Sequence, residues 1–314
     1  MVSAETDELM QQLAEQESLL GSDSLALADY LTMVGLKLYE ESKFAQAESP
    51  LTRALKIREA HLAVDHLDTA AALANLGMVL LAKGQYIEAE THFKRALAIQ
   101  EKALGVEHMS IAAGLNHLGE IYRALAKYDL AEPLFKRALE LRRRHLSETS
   151  LDVAEILNNW GLLYYDQGKN LEAEALFRKV LEIQEKLLGT DHPQVATTLT
   201  SIASLFTDRD QYELAEPLHR RALAIREAAL STDHPTVAES LNNLGWLYHQ
   251  HGNYARAEAL YLRALEIWKS ALGAEHANVA TCLENYADLL RKTNREMDAV
   301  ALKQQVFVIR RKQD

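Results

Sequence analysis

Residues 241–267 read LNNLGWLYHQHGNYARAEALYLRALEI, and this stretch decides the fold. Its apolar residues Leu241, Leu244 and Tyr248 are spaced by three and four positions, which places them on one face of a helix. The break HGN at 251–253 contains glycine and asparagine, which favour turns. A second apolar stripe with helical spacing follows the break. The stretch therefore predicts two antiparallel helices joined by a tight turn.

The same pattern recurs along the chain with a period of 42 residues and without an insertion. One column of equivalent positions holds leucine in all seven units, and two other columns hold alanine. A fixed repeat of this length is typical of solenoids, in which each unit packs only on its neighbours. We therefore predict an all-α fold, a right-handed superhelical solenoid of about seven antiparallel helix pairs. The units start near residues 24, 66, 108, 150, 192, 234 and 276.

The two ends of the chain depart from the repeat. We expect residues 1–22 to form an acidic helical segment and residues 23–314 to form the solenoid, since residues 5–20 hold five acids and no base. The sequence leaves open whether this segment covers the first repeat, occupies the groove or stays mobile. The last unit contains the polar run Lys-Gln-Gln at 303–305, which predicts a polar final helix that ends the solenoid in water.

The units meet at a short motif, GTDHP at 189–193 and STDHP in the next unit. Gly189 suits a left-handed helix end, and Pro193 suits the first turn of the following helix. We expect Asp191 to cap that helix, with Gln194 completing a capping box.

The histidine of the joint recurs one repeat apart, which raises the question of a metal site. Neighbouring helices lie about 8–10 Å apart, whereas zinc ligands lie about 2 Å from the metal. These histidines therefore cannot share one ion. We interpret them as joint residues at helix starts and expect no metal. They are His66, His108, His192, His234 and His276.

A family resemblance rests on the residues quoted above. The run LNNLGxLY, followed by GNY, AE and RALEI, resembles the tetratricopeptide repeat. The 42-residue form with an LGxDHP joint is similar to the repeats of kinesin light chains and related bacterial proteins, over about residues 24–311. The resemblance implies a helical scaffold that binds proteins or peptides. Armadillo and HEAT repeats have a similar period, but an aromatic residue before the alanine favours the tetratricopeptide form: Phe44, Tyr86, Tyr128, Tyr212 and Tyr254.

The candidate binding residues lie on the first helix of each pair, which lines the inner side of such a solenoid. Asparagine is a mediocre helix former, so its recurrence within these helices needs a reason. In kinesin-light-chain-like repeats matching asparagines line a peptide groove, and the resemblance implies that role here; bracing of the neighbouring repeat is the alternative. The predicted peptide-binding residues are Asn116, Arg123, Asn158, Asn159, Tyr165, Glu239, Asn242, Asn243, Trp246, His249, Asn285 and Arg291.

Composition excludes several classes of partner. The net charge of −11 disfavours nucleic acid and anionic lipid, which both need clustered Lys and Arg. One cysteine, Cys282, cannot form an internal disulfide, which fits a reducing compartment. No apolar run approaches the roughly 18 residues that span a bilayer, and the N-terminus lacks the pattern of a secretory signal. We expect a cytoplasmic protein that binds neither nucleic acid nor membrane.

Catalytic motifs for nucleotides or acyl transfer do not occur in the sequence, so we expect no enzyme and no cofactor. The favoured hypothesis is a protein–protein interaction scaffold or adaptor with a peptide or helix in its concave groove. The alternative is a regulatory or sensor subunit that controls a separate effector enzyme. Acids outnumber the bases Arg123, Arg291 and Lys292 at the groove positions, which predicts a neutral or basic partner. The nine acids are Asp29, Glu40, Glu120, Glu155, Asp166, Asp208, Glu239, Glu284 and Asp288.

Overall fold

The computed structural model describes residues 12–13, 15–145 and 149–311. Within these residues every regular element is a helix, which confirms the predicted all-α class. The chain forms two compact units, Met1–Leu163 and Tyr164–Asp314.

Fourteen helices lie over residues 25–311, in the order that the sequence predicted for seven consecutive pairs. The helices that begin in the first unit are α1 (Leu25–Glu40), α2 (Phe44–His61), α3 (Leu67–Ala82), α4 (Tyr86–Leu104), α5 (Ile111–Ala124), α6 (Tyr128–His145) and α7 (Leu151–Asp166). Those of the second unit are α8 (Asn170–Leu188), α9 (Pro193–Asp208), α10 (Tyr212–Ala229), α11 (Pro235–Gln250), α12 (Tyr254–Leu272), α13 (Ala277–Lys292) and α14 (Glu296–Arg311). Inside each unit the odd-numbered helix packs on the helix that follows it, and pairs that are adjacent in sequence pack on each other.

The turn inside each pair contains one residue with positive φ, between 55° and 81°. Glycine adopts this left-handed conformation without strain, which explains the HGN break around Gly252. Other residues there cost about 1–2 kcal/mol, and Ala126 lacks even the polar side chain that eases the strain. The seven residues lie one repeat apart: Ser42, Gly84, Ala126, Gly168, Asp210, Gly252 and Asn294.

A small residue in the first helix of each pair lets a large side chain of the second helix approach. A Cβ atom added at Gly119 would lie 2.6 Å from Phe135, and one added at Gly245 would lie 2.9 Å from Tyr261. Both distances are too short for real atoms. The recurring glycines are therefore required by packing within the pair.

Four of the five joint histidines begin helices, as the sequence predicted, and they also cap them; for His108 the prediction is wrong, because α5 begins at Ile111 with Ser110 directly before it. In His192 the ring nitrogen Nδ1 accepts a hydrogen bond of 3.2 Å from the backbone N–H of Gln194. The expectation that Asp191 is the cap is wrong, because His192 is the residue with extended backbone directly before α9. Pro193 lies in the first turn, as predicted. The same bond is made by His66, His234 and His276.

The described part of the N-terminal segment covers the first repeat. Residues 12–13 and 15–20 are helical, and the buried Leu13 packs with Leu27 and Ile57. The carboxylate of Glu17 also lies 2.7 Å from the guanidinium of Arg53. The rest of the predicted segment, residues 1–11 and 14, lies outside the described residues.

The C-terminal helix α14 differs from the expectation of a polar cap. Val300, Phe307 and Val308 are all exposed on it. The prediction of a polar final helix is therefore wrong. The polar residues 303–305 do not make this outward surface polar throughout. Apolar residues that precede and follow them in sequence lie on the same surface.

Candidate functional site

The predicted site residues lie on the odd-numbered helices. We define the inner face of a unit as the surface of these helices around the positions equivalent to Asn242, Asn243 and Trp246. The predicted packing residues beside them, Leu241 and Tyr248, are buried, as expected of residues that face the core. Each unit has its own inner face.

In the first unit two asparagines join α5 to α7. Asn116 is only 2% exposed. Its Nδ2 atom donates a hydrogen bond of 2.9 Å to Oε1 of Glu155, and its Oδ1 atom accepts one of 3.2 Å from Nδ2 of Asn159. Both ends of the buried amide are thus satisfied within the protein. These two residues brace neighbouring repeats, which is one of the two roles that the sequence left open.

The second unit contains the same brace between α11 and α13. Nδ2 of Asn285 donates a hydrogen bond of 3.1 Å to Oδ1 of the buried Asn242. A related bond lies at the end of the first helices, where the hydroxyl of Tyr165 donates to Asp208 over 2.6 Å. Burial and this carboxylate raise the pKa of Tyr165. In each bond the partners are 43 residues apart, so the contact joins adjacent repeats.

Two predicted asparagines remain open to a ligand. Asn158 in the first unit and Asn243 in the second are half-buried. Among the described residues neither side chain makes a hydrogen bond, and neither amide is buried from solvent. Each therefore has unused donors and an unused acceptor on an inner face.

Trp246 and His249 form the aromatic part of the second inner face. Trp246 is half-buried, and its ring meets that of His249 edge-on with centroids 5.5 Å apart. His249 is buried and also lies edge-on to Tyr261, at 6.5 Å. Burial lowers the pKa of His249; the charge of Lys292 adds to this and that of Asp288 opposes it. The imidazole is therefore held neutral beside the tryptophan.

The first inner face is acidic where the second is aromatic. Loss of solvent raises the pKa of the Glu155 carboxyl, although part of the residue is exposed; the charge of His117 opposes this rise and that of Glu120 adds to it. Both carboxylates also raise the pKa of Tyr39 on α1, after burial. The charges of Glu120 and Glu155 are therefore felt at Tyr39 within the first unit.

The other predicted residues differ in their exposure. Glu239 and Arg291 are exposed, and Arg123 is half-buried. A guanidinium nitrogen of Arg291 lies 3.4 Å from Glu296 and another lies 3.8 Å from Asp288. The basic end of the predicted groove is therefore partly neutralised.

Sequence reasoning missed a set of arginines on the even-numbered helices. The guanidinium of Arg58 bonds to Asp29 at 2.7 Å, and that of Arg310 bonds to Glu284 at 2.6 Å. The buried Arg226 donates to Ser240 and lies 4.0 Å from Glu239. Several acids counted in the groove thus have a cation beside them. The sequence pattern that could have revealed these arginines is a period of 84 residues. Arginine occurs at 58, 142, 226 and 310, and the equivalent positions of the intervening repeats hold other residues.

Over the described ranges, histidine, cysteine and carboxylate side chains do not gather in threes around a point that could hold a metal ion. None of the helices in those ranges is both long enough and apolar enough to span a bilayer.

The fold and its inner faces define a helical repeat protein of the class that the sequence resembles. A family model described as tetratricopeptide repeat matches residues 68–144, 152–228, 201–267 and 252–312. A second model with the same description matches residues 117–186. The matches span most of the sequence, so the chain belongs to the tetratricopeptide repeat family.

Solved structures give the same fold. A putative kinesin light chain of Podosopora anserina with TPR-like repeats is 24% identical, with 67% of this chain and 98% of that chain covered and a TM-score of 0.56. BtubC from P. vanneervenii is 21% identical, with 81% and 92% covered and a TM-score of 0.58. The Rap conjugation gene regulator of plasmid pLS20, in complex with the Phr* peptide, is 16% identical, with 93% and 76% covered and a TM-score of 0.69. No curated protein matches the chain in sequence.

Proposed function

We propose that this protein is a scaffold or adaptor whose inner faces hold a peptide or a helix of another protein. The observation that carries the proposal is the pair of unused amides, Asn158 and Asn243. The other asparagine on each of their helices forms a hydrogen bond to the neighbouring repeat. The proposal involves no catalytic step and keeps the cytoplasmic location expected from the sequence.

The free amides suit the main chain of a bound peptide. An amide offers a donor and an acceptor together, so it can pair with a peptide C=O and N–H whatever the side chain. Trp246 supplies an apolar anchor close to Asn243. Tryptophans at the centre of an interface are frequent hot spots, worth about 2 kcal/mol or more.

The charge of the inner faces favours a neutral or basic partner. Loss of solvent is the main cause of the raised pKa values of Glu155 and Tyr39, and the neighbouring carboxylates raise both further. A Lys or Arg of the partner would oppose the effect of these carboxylates. An acidic residue or a free carboxylate of the partner is better placed near Arg291 and Lys292. Each exposed pair contributes only about 0–1 kcal/mol, so the summed field must set the preference.

Family and fold support the proposal. Tetratricopeptide repeats are solenoids, and solenoids offer extended surfaces for binding other proteins. The Rap regulator is described in complex with a peptide, and 93% of this chain aligns with that structure. The sequence identity of 16% carries the fold alone, so the ligand of that protein is not transferred to this one.

The test is a pull-down with mass spectrometry that uses the wild type beside matched variants. Asn243→Ala and Trp246→Ala should both release the partner, whereas Leu262→Ala, an exposed apolar residue on α12, should retain it. A captured protein that both inner-face variants retain would contradict the proposal. A partner held only through a large enzyme domain would favour the regulatory alternative.

A titration of the captured segment then tests the charge preference. Binding should weaken between about 50 and about 500 mM salt, because ions screen the field. A charge-reversed version of the segment should bind more weakly. Equal affinity of the acidic and basic versions would show that charge does not select the ligand.

A further inference from the structure

His249 is a buried titratable side chain on the second inner face. The residue is 6% exposed. Its Nδ1 atom is shielded from solvent and makes no hydrogen bond to any residue that the structure describes. Imidazole gains a proton close to neutral pH, and both of its nitrogens then carry a hydrogen. Protonation in place would therefore bury a charged N–H group without an acceptor, which is costly.

Three aromatic rings enclose this imidazole. The ring of His249 lies edge-on to those of Trp246, Tyr254 and Tyr261, with centroids 5.5, 5.9 and 6.5 Å away. We call these four residues the aromatic box. Such edge-on contacts pack a neutral ring well. None of the box residues carries a carboxylate that could pair with an imidazolium ion.

The charges that face the aromatic box come from α13, whereas α12 contributes the two tyrosines of the box. Burial lowers the pKa of His249; the charge of Asp288 opposes this and that of Lys292 adds to it. Asp288 is exposed and also lies 3.3 Å from Lys303 and 3.8 Å from Arg291. Since this carboxylate is at the surface, an imidazolium has to turn out of the box to bond to it.

The repeat pattern links the histidine to the tryptophan. Among the seven repeats, this one alone has tryptophan at the position of Trp246 and histidine at the position of His249. The proposed anchor for a ligand and a side chain that titrates near neutral pH thus occur side by side in one repeat. The other residues at the histidine position are Tyr39, Leu81, Arg123, Tyr165, Thr207 and Arg291.

We propose that His249 is a positioning residue that holds Trp246 in place only while the imidazole is neutral, so that acid opens the second inner face. When His249 gains a proton, its ring turns towards Asp288 and the edge-on contact with Trp246 is lost. A ligand held by Trp246 is then released. This release rests on the proposed function of Trp246, whereas the movement of the tryptophan does not.

The direction of the pH effect follows from the closed box. Burial holds the pKa of His249 below its ordinary value of 6.5, so the closed arrangement binds a proton less tightly than the open one. Falling pH therefore stabilises the open arrangement relative to the closed one, beginning below pH 6.5. At neutral pH the box is closed.

The first experiment follows the three tryptophans of the full chain by fluorine NMR after incorporation of fluorotryptophan. The pH is lowered from about 7.5 to about 5, and Trp246→Phe assigns the resonance. The resonance of Trp246 should shift along one titration curve with a midpoint below 6.5. His249→Leu, which introduces the residue of the equivalent Leu81, should abolish the shift. A resonance that does not titrate, or that titrates equally in His249→Leu, overturns the proposal.

Two control variants separate local opening from general unfolding in acid. His251→Gln changes an exposed histidine of the same repeat, whose ring stacks on Tyr212 at 4.9 Å, and should leave the shift unchanged. His219→Phe with Ala203→Gly removes another buried histidine of the second unit and should also leave it unchanged. If the resonances of all three tryptophans moved together, the chain would be unfolding and the proposal would be wrong.

The second experiment measures the affinity of the segment captured in the pull-down at about pH 7.5 and about pH 5.5. The affinity of the wild type should fall by up to about tenfold for each pH unit below the pKa of His249, because only the neutral fraction binds. His249→Leu should bind equally at both pH values. If the segment binds through Trp246 at both pH values without loss, the proposed function stands and this inference fails. If Trp246 titrates but no segment is captured, the movement stands and the proposed function fails.

Discussion

The two inner faces contain the same brace in different surroundings. Asn116 and Asn159 in the first unit are equivalent to Asn242 and Asn285 in the second, three repeats later, and the hydrogen bonds of 3.2 and 3.1 Å match. The neighbours of the brace do not match. The position of Glu120 is occupied by Trp246, that of Glu155 by Thr281 and that of Arg123 by His249.

This difference distinguishes the residues that the fold requires from the residues that a ligand would contact. Both units keep the brace because it satisfies a buried amide that would otherwise be unpaired. The positions around it change character from acidic to aromatic without changing the helices. Selectivity for a partner should therefore depend on the variable positions. The change in character is largest between Trp246 and Glu120, which occupy equivalent positions.

Removal of Trp246 should have the largest effect on binding. Trp246→Ala should weaken the partner at least tenfold, because a half-buried aromatic anchor contributes about 2 kcal/mol or more. Glu120→Ala at the equivalent position should weaken a basic partner by less than about fivefold, the range of an exposed charge. Isothermal titration calorimetry measures both. If Trp246→Ala lowered thermal stability instead of affinity, the tryptophan would be a packing residue.

Acidification should destabilise the second unit more than the first. Burial, with a smaller effect of Arg226, lowers the pKa of His219 from 6.5 to about 4, and burial also lowers that of His249. The folded state then binds a proton less tightly than the unfolded state, so stability falls as pH drops below 6.5 and the loss is complete near pH 4. At pH 5 His219 alone should account for about 2 kcal/mol.

Hydrogen exchange at pH 7 and pH 5 would locate this effect. Protection should drop mainly in α9, α10 and α11. The double variant His219→Phe with Ala203→Gly should remove the contribution of His219 to the pH effect and keep the fold, because it restores the glycine–phenylalanine pairing of the first unit, as in Gly119 and Phe135. An unchanged pH response in that variant would assign the effect to other groups.

The sequence predicted the scaffold well because the same packing contacts recur from one repeat to the next. The fixed period located the helices, and the small residue at Gly119 and Gly245 was explained by a large side chain sixteen positions later. Four of the five joint histidines were also placed correctly at helix starts, and His108 was not. The cap itself was missed, since a histidine ring that accepts from a backbone N–H is a less common arrangement than an acidic cap.

The roles of individual polar residues were harder to predict. Asn242 and Asn243 are adjacent in sequence, yet one is buried in a brace and the other is open. Which of two amides faces the neighbouring repeat depends on the rotation of the helix by about 100°, and a resemblance cannot resolve that. The charge of the groove was overestimated because long arginines such as Arg58 and Arg310 reach across from the second helix of the pair.

The two braces should differ in strength. Asn116→Ala removes a bond to a carboxylate as well as one to an amide, so it should lower the free energy of unfolding by about 2 kcal/mol. Asn242→Ala removes a neutral bond and should cost about 1 kcal/mol. Asn158→Ala, which breaks no hydrogen bond, is the control and should change stability by less than about 0.5 kcal/mol. Urea unfolding curves would measure all three, and equal losses for Asn158→Ala and Asn116→Ala would remove the brace from the explanation.

The smallest effect should come from Glu155, and its sign is opposite to that of the histidines. Loss of solvent raises the pKa of this carboxyl, so the folded state holds the proton more tightly than the unfolded state does. Stability contributed by Glu155 is therefore present at low pH and lost as pH rises past its ordinary value of 4.5. Glu155→Gln keeps an acceptor for Asn116 but removes the charge. It should stabilise the protein at pH 7 by about 0–1 kcal/mol, the range for exposed charges, and the gain should vanish at about pH 4. The second unit has Thr281 at this position and supplies no such effect. A gain that is equal at both pH values would mean that folding does not raise the pKa of this carboxyl, and the contrast between the two inner faces would then rest on Trp246 alone.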